Sequence, residues 1–411
     1  MSAPFSIAIT GQSLIRNDLR AISDPRLTEI AQILKASDVA FTNLETTIHG
    51  RHGGWPLKGA YFGASAPEVL AALKEIGFNS LALANNHAFD LGPSGILSTL
   101  EEVAARDFLH AGIGIDKRHA AKAQINRFGS RKVALIAMDA GPGPSFMYAE
   151  DASEGRMARP GLNRLNVSRV FDLEADTFNV LRSIQEQFRS SALELANYAQ
   201  PEDPPDLHGP DEIDFYGTMF RRSDKSVRRI VVDRHSASAQ LSTIAEEAAH
   251  DAFVIVYLHH HHWEPSWQQV PSWVRAFARD CVNAGASLFV SHGAPVLQAI
   301  EIYRNTPIFY GLGNFIFHTD KEEREWSPPE VWKSVIATCS FGSAGRLEDI
   351  SLRPIVIGGT EAISDPAHDR LPFPVLADGS MAAGILEDLA GRCTDFGTVL
   401  SLENDIARIA L

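Results

Sequence analysis

The chain has 411 residues, 45% of them hydrophobic and 21% charged, enough for one elaborated α/β domain or for two domains with a sizeable core. Its 37 basic against 51 acidic side chains give a formal charge of −14, a field that repels polyphosphate backbones and argues against a nucleic-acid partner. The opening stretch MSAPFSIAITGQ has neither a basic flank nor a long apolar run, so no signal peptide, bilayer span or membrane partner is expected, and the expected compartment is the cytoplasm. Cys281, Cys339 and Cys393 are far apart in sequence and form no CxxC pair, which predicts reduced, buried thiols.

Phe5–Ile9 reads as a strand, Arg26–Ala36 as an amphipathic helix and Val39–Phe41 as a second strand. Ser65-Ala66-Pro67-Glu68 combines a capping box with an early proline, and Val69, Leu70, Leu73 and Ile76 follow at helical spacing. NSLALANNHAFD is a strand running into a polar turn, SGILSTLEEVAARD a helix, and Lys132–Asp139 a further strand. This β-α-β rhythm predicts a mostly parallel sheet covered by helices.

The rhythm breaks between Gly141 and Ala249. ARPGLNRLN is turn-rich, Val170 to Tyr198 reads as one or two helices, and QPEDPPDLHGPD is an acidic, proline-rich loop. So long an interruption of an α/β scaffold predicts a cap or lid that governs substrate choice, with a surface excursion as the alternative. The rhythm resumes with the apolar run Phe253–Val256, which leads into four consecutive histidines, His259–His262; their internal position excludes a purification tag. A helix from about Pro271 to Ala284, the strand ASLFVSHG, the stretch TPIFYGLGNFIFH and a hairpin around Gly342 to Gly345 complete the pattern. The expected organisation is a core of residues 1–140 and 250–360, an inserted cap of 141–249, and a C-terminal extension of 361–411 packed on the core.

Carboxyl ends of strands in such a sheet converge on one rim, where ligands bind. Polar residues recur there: Gln12, Asn43 and Glu45, Asn85 to His87, His259 to His262, His292 and Asn314. A carboxylate, an amide oxygen and several imidazoles make a donor set for Zn²⁺, Mn²⁺ or Fe²⁺. Strand alternation puts His259 and His261 on one face and His260 and His262 on the other. Arg159 is a candidate clamp for a substrate carboxylate, and Trp263 a candidate aromatic wall.

FTNLETTI (41–48), LALANNHAFDLGPSG (81–95), the histidine strand and DCVNAGASLFVSHGAPVLQAIEIYRNTPIFYGLGNFIF (280–317) together resemble the CapA, or poly-gamma-glutamate synthesis, family. That family is a branch of the calcineurin-like metallophosphoesterases. The resemblance implies a four-layer sandwich, two mixed β-sheets flanked by helices, with an inserted cap. By position it implies Glu45, Asn86, His259 and His292 as one metal site and His87 as the adjacent general acid. A second site is broken: the family's Gly-Asp is here Gly11-Gln12, and its later histidine falls near Pro295.

Three functions stay open. One is a hydrolase of an amide or peptide-like, possibly glutamyl, compound using one divalent transition metal, with His87 protonating the leaving group. Another needs no metal: His87, His292 and His261 supply acid/base chemistry beside Glu45, with Gln12 or Asn43 contacting a small-molecule or peptide-like substrate, and hydrolysis or epimerisation as the outcome. The third is a scaffold that only binds. The family's association with glutamyl polymers favours a hydrolase with at most one metal.

Overall fold

The computed structural model describes residues 5–58, 63–188, 208–319, 328–342, 345–365 and 368–411. The chain divides into two compact units, one of Met1–Leu165 with Ser238–Leu411, the other of Asn166–Ala237.

Two sheets organise the larger unit. Among the described residues the first has nine strands, of which Phe5–Ile9, Val39–Asn43, Ser80–Ala82 and the edge strand Leu109–Ala111 run parallel. The predicted hairpin, Lys333–Phe341 with Leu347–Ile357, joins it antiparallel beside Phe5–Ile9. The second sheet has six strands, with Arg131–Asp139, Phe253–His259, Leu288–His292 and Thr306–Phe309 parallel.

Ring contacts show that the sheets face each other. Phe5 lies 5.0 Å from Phe253, and Phe41 5.8 Å from Tyr257, centroid to centroid. The opposite face of the first sheet carries Ala8, Ala40 and Ile336 into a cluster with Ile30 and Leu34 of helix Pro25–Lys35 and Leu70 and Leu73 of helix Glu68–Ile76. Helix Ser272–Asn283 buries Val274, Phe277, Ala278 and Cys281 beside the second sheet. The layering is therefore helix, sheet, sheet, helix, as the resemblance implied. All three cysteines are free and buried. Among the described residues no helix is long and apolar enough to cross a membrane.

The Phe41–Tyr257 pair fixes the position of the site. Side chains two residues apart in a strand share a face, so Asn43 and His259 follow these rings into the gap between the sheets at their carboxyl ends. Phe41 and Tyr257 are fully buried, and Phe41→Ala is expected to destabilise the fold by about 3–5 kcal/mol, read as a lower denaturant midpoint.

The sequence predicted helix from Val170, but Val167–Glu174 is a strand and the helix is Ala175–Phe188. Val170 and Asp172 are buried in alternation, Arg229 pairs with Asp172 at 2.5 Å, and Val227–Val232 pairs antiparallel alongside. That cross-strand pairing overrides local helix propensity. Residues 189–198 of the predicted helix lie outside the described residues, as does most of the proline-rich loop. In the smaller unit, helix Ala175–Phe188 covers a four-stranded sheet through the fully buried Phe178.

Unit boundaries differ from the expected 141–249. Residues up to Leu165 and from Ser238 belong with the larger unit, where Gly161–Leu162 pairs with Ile113–Gly114 and Asn163 exchanges hydrogen bonds with Gln240 at 2.8 and 3.2 Å. Within the 361–411 segment, Leu400–Glu403 and Ile406–Ile409 extend the first sheet itself, next to Leu347–Ile357.

Candidate functional site

Three parallel strands of the second sheet end in register, with Asp139 opposite His259 and His259 opposite His292. Directly beyond them the backbone is locked: His260 N–H donates to His292 O at 3.0 Å and His261 N–H to Gly141 O at 2.7 Å. Gly293 makes this possible. It has φ +130, and a Cβ there would lie 1.8 Å from His260 O.

The histidine run alternates as strand geometry requires. His259 and His261 join Glu45 in a group whose ligand atoms all lie within 4.8 Å of one another. His260 turns away, its ring 5.1 Å from Trp273, while His262 lies 6.1 Å from Trp273 and contacts Ala140 O through Nε2 at 3.1 Å. Trp263 donates to His260 O at 3.1 Å and sets its ring 4.8 Å from His261, as a wall behind that imidazole.

From the first sheet come Asn43, Glu45 and the Asn85-Asn86-His87 turn. His259 Nε2 lies 3.0 Å from Asn86 Oδ1 and 3.9 Å from Glu45 Oε1; its Nδ1 lies 3.3 Å from the Tyr257 hydroxyl. Asn85 pins the turn by donating to Leu44 O at 2.7 Å and Asn43 Oδ1 at 3.0 Å, and by accepting from His87 N–H at 3.1 Å.

Sequence reasoning missed Asp90 and Lys58. Asp90 is 1% exposed, and its Oδ2 lies 2.7 Å from His87 Nδ1 and 2.7 Å from Gly63 N–H. Lys58 Nζ reaches Asp90 Oδ1 at 2.9 Å and also donates to Asn86 O. A carboxylate only accepts, so it holds the proton on Nδ1 of His87 and leaves Nε2 as a base. The available signal was the i, i+3 spacing in NNHAFD. Asp139 was missed as well: its Oδ2 accepts from Gly141 N–H and the Tyr148 hydroxyl, both at 2.9 Å, and so braces the turn against which His261 rests.

Burial dominates the electrostatics. It pushes the Glu45 carboxyl up to about 8, with the Lys58 ammonium opposing, and the Asp139 carboxyl up to about 6. It lowers His87, with Asp90 opposing, and holds His259 well below the usual histidine range. His260, His261 and His292 are pushed down to about 3 by the same cause. The sign of the histidine contribution follows: an unfolded histidine binds a proton below about 6.5 while the folded one stays neutral down to about 3, so these imidazoles cost no stability above 6.5 and lower it as the pH falls. Each such imidazole is expected to cost about 1.4 kcal/mol per pH unit in that window, measurable by denaturant titration at pH 7, 6 and 5. His292→Asn is expected to flatten the decline.

Of the expected metal set, Glu45 and His259 meet in this group. His261, and not His292, completes the group with Glu45 and His259, because strand parity returns the second histidine of the run to the same face. His292 is buried beside Tyr257 at 5.7 Å between ring centroids, and neither ring nitrogen has a partner among the described residues. Arg159, the expected clamp for a substrate carboxylate, meets backbone carbonyls. Its guanidinium donates to Tyr148 O at 3.1 and 3.0 Å and to Ser145 O at 3.2 Å, tying down the 145–148 turn. Gln12 and Asn43 are buried at adjacent strand ends.

The family described as bacterial capsule synthesis protein PGA_cap matches residues 6–319. The chain belongs to that family. Within the PGA_cap family it is similar to the uncharacterized protein y4sH of Sinorhizobium fredii, 27% identical over 99% of this chain and 93% of the relative. The PGA biosynthesis protein CapA of Bacillus subtilis is 31% identical over 36% of this chain and 33% of its own length. A probable polyglutamine synthesis accessory protein of Mycobacterium tuberculosis is 22% identical over 68% of this chain and 56% of its own. Among solved structures, the NAD nucleotidase of Haemophilus influenzae aligns over 95% of this PGA_cap chain and 56% of its own, at 10% identity and a TM-score of 0.36.

Proposed function

We propose that the chain hydrolyses an amide or peptide-like compound, a glutamyl one in keeping with the named roles of its PGA and polyglutamine relatives, using at most one divalent metal and histidine acid/base chemistry. The observation that carries this reading is the meeting of Glu45, His259 and His261 in one group, beside the Asp90-held His87.

The donor set suits a single ion. Glu45, His259 and His261 offer one carboxylate and two imidazoles, Asn86 Oδ1 lies next to His259, and the buried Glu45 Oε2 and His261 Nε2 have no hydrogen-bond partner among the described residues. A divalent transition metal held there would polarise a carbonyl or acidify a water. Gln12, where the resemblance implies an aspartate, removes the anionic ligand of a second position.

The chain's own groups supply the proton chemistry. With Nδ1–H held by Asp90, His87 takes a proton from water on Nε2 as the oxygen attacks the carbonyl carbon. The resulting imidazolium, stabilised by Asp90, returns that proton to the leaving nitrogen as the C–N bond breaks.

A second reading is favoured by the pair His87 and His261, two neutral imidazoles on different sheets. One could remove and the other return a proton alpha to a carbonyl, inverting that carbon. Incubating the protein with γ-glutamyl and α-linked peptides in H₂¹⁸O and in D₂O separates the two. Solvent oxygen in a new carboxylate supports hydrolysis; deuterium at Cα of an intact peptide replaces it with proton transfer; neither label leaves no enzymatic reading standing.

A further inference from the structure

Gln12 and Asn43 are 4% and 0% exposed, and each carries one buried polar atom with no partner among the described residues: Gln12 Oε1 and Asn43 Nδ2. Burying such an atom unpaired costs about 1–3 kcal/mol, so two of them on adjoining turns call for an explanation. They are neighbours in the fold. Thr42 Oγ1 donates to Gly11 O at 2.8 Å, Glu45 N–H donates to Ser13 O at 3.0 Å, and so the turn after Phe5–Ile9 runs against the turn after Val39–Asn43.

Amide oxygen and nitrogen look alike, so their assignment must come from the network around them. Here the network fixes both. Asn314 Nδ2 donates to Val331 O at 3.1 Å, which leaves Asn314 Oδ1 as an acceptor and obliges Gln12 to present Nε2 to it, at 3.1 Å. Gln12 Oε1 is therefore the atom left over. Asn85 Nδ2 donates to Leu44 O while Asn85 Oδ1 accepts from His87 N–H, so Asn43 must present Oδ1 to Asn85 Nδ2. Asn43 Nδ2 is then the atom left over. Two independent chains of hydrogen bonds, each anchored on backbone, thus leave one uncharged acceptor and one uncharged donor beside Glu45.

We infer that Gln12 and Asn43 form a reader for a neutral amide unit of the substrate, Gln12 Oε1 accepting from its N–H and Asn43 Nδ2 donating to its C=O. The inference rests on the proposed action at an amide or peptide-like compound and names the group by which that compound is recognised. A phosphate or a carboxylate offers no N–H donor to Gln12 Oε1, whereas a peptide unit carries both an N–H donor and a C=O acceptor. The reader also separates peptide from ester, since an ester oxygen in place of the N–H leaves a buried acceptor facing another acceptor.

The test is equilibrium binding of N-acetyl-γ-L-glutamyl-L-glutamate, and of its depsipeptide counterpart with an ester oxygen in place of the peptide N–H, to the purified full chain, with turnover followed separately by chromatography. The expected result is that the peptide binds about 10-fold more tightly than the ester, and that Gln12→Met brings this ratio close to one. Asn43→Asp keeps an oxygen for Asn85 and removes the unpaired Nδ2 donor; it is expected to weaken both compounds about 10-fold without changing their ratio. Should Gln12→Met fail to fold, Asn43→Asp decides alone. A ratio that persists in Gln12→Met, unchanged affinities in Asn43→Asp, or no binding of either compound overturns the inference. If solvent label enters the peptide while Gln12→Met keeps the ratio, the reader is wrong and the proposed function stands. If the ratio collapses and no label is ever incorporated, the reader stands and the hydrolytic reading falls.

Discussion

Replacing His87 with alanine is expected to lower kcat on a susceptible peptide by about 10²–10⁴-fold, with KM changing far less. The ring nitrogen of this imidazole is set by a buried carboxylate, Asp90, at 2.7 Å; its own neighbours Asn85 and Asn86 serve instead as a backbone brace and as a partner of His259. Asp90→Asn tests the same assignment with little change of volume. An asparagine that turns its amide nitrogen toward His87 Nδ1 moves the ring proton to Nε2 and removes the base, so kcat is again expected to fall while metal content stays constant. Burial lowers the His87 pKa, with the Asp90 hydrogen bond opposing. The basic form is therefore retained through neutral pH, and the acid limb of the rate profile is expected below the ordinary histidine value of 6.5. Turnover within threefold of the parent in His87→Ala would remove the residue from the chemistry.

Glu45→Gln is expected to abolish metal retention. Protein purified without a metal-affinity column is expected to hold about one equivalent of Zn²⁺, Mn²⁺ or Fe²⁺, and the variant to bind it at least 100-fold more weakly, because the only carboxylate of the group is lost. Mass spectrometry of metal content and competition with a chelator read this directly. Retained metal in Glu45→Gln would place the ion elsewhere. Folding should move the other way. The Glu45 carboxyl is pushed up to about 8 from 4.5, so the metal-free fold binds a proton that the unfolded chain releases, and stability declines as the pH rises from 4.5 toward 8. Glutamine carries no such proton. Metal-free Glu45→Gln is therefore expected to gain on the parent as the pH rises, which distinguishes a lost ligand from a damaged fold.

Much of the larger unit was legible because its signals are local. Apolar runs such as Phe253–Val256 bounded by polar turns define strands, and Val69, Leu70, Leu73 and Ile76 mark a helical face. The segment from Val170 misled because VSRVFDLE carries both spacings, and only pairing with Val227–Val232 settles it as a strand. His259 and His261 lie close together, as strand alternation places them, and the Trp263 ring lies 4.8 Å from that of His261. Arg159 could not be assigned that way: an arginine near a site and an arginine tying down the 145–148 turn have the same sequence appearance.

The sequence by itself determined which residues stand at strand ends, the excess of acidic charge, and a neutral glutamine at position 12. Those follow from period-two geometry and from residue identity, which need no partner. Only the tertiary structure decided that His261 joins His259 beside Glu45, that Asp90 pairs with His87 and Lys58 with Asp90, and that Gln12 and Asn43 each leave one particular atom unpaired among the described residues. Each of these depends on distances of about 3–5 Å between segments far apart in the chain, and such distances are set by how two sheets pack face to face, which local propensity does not encode.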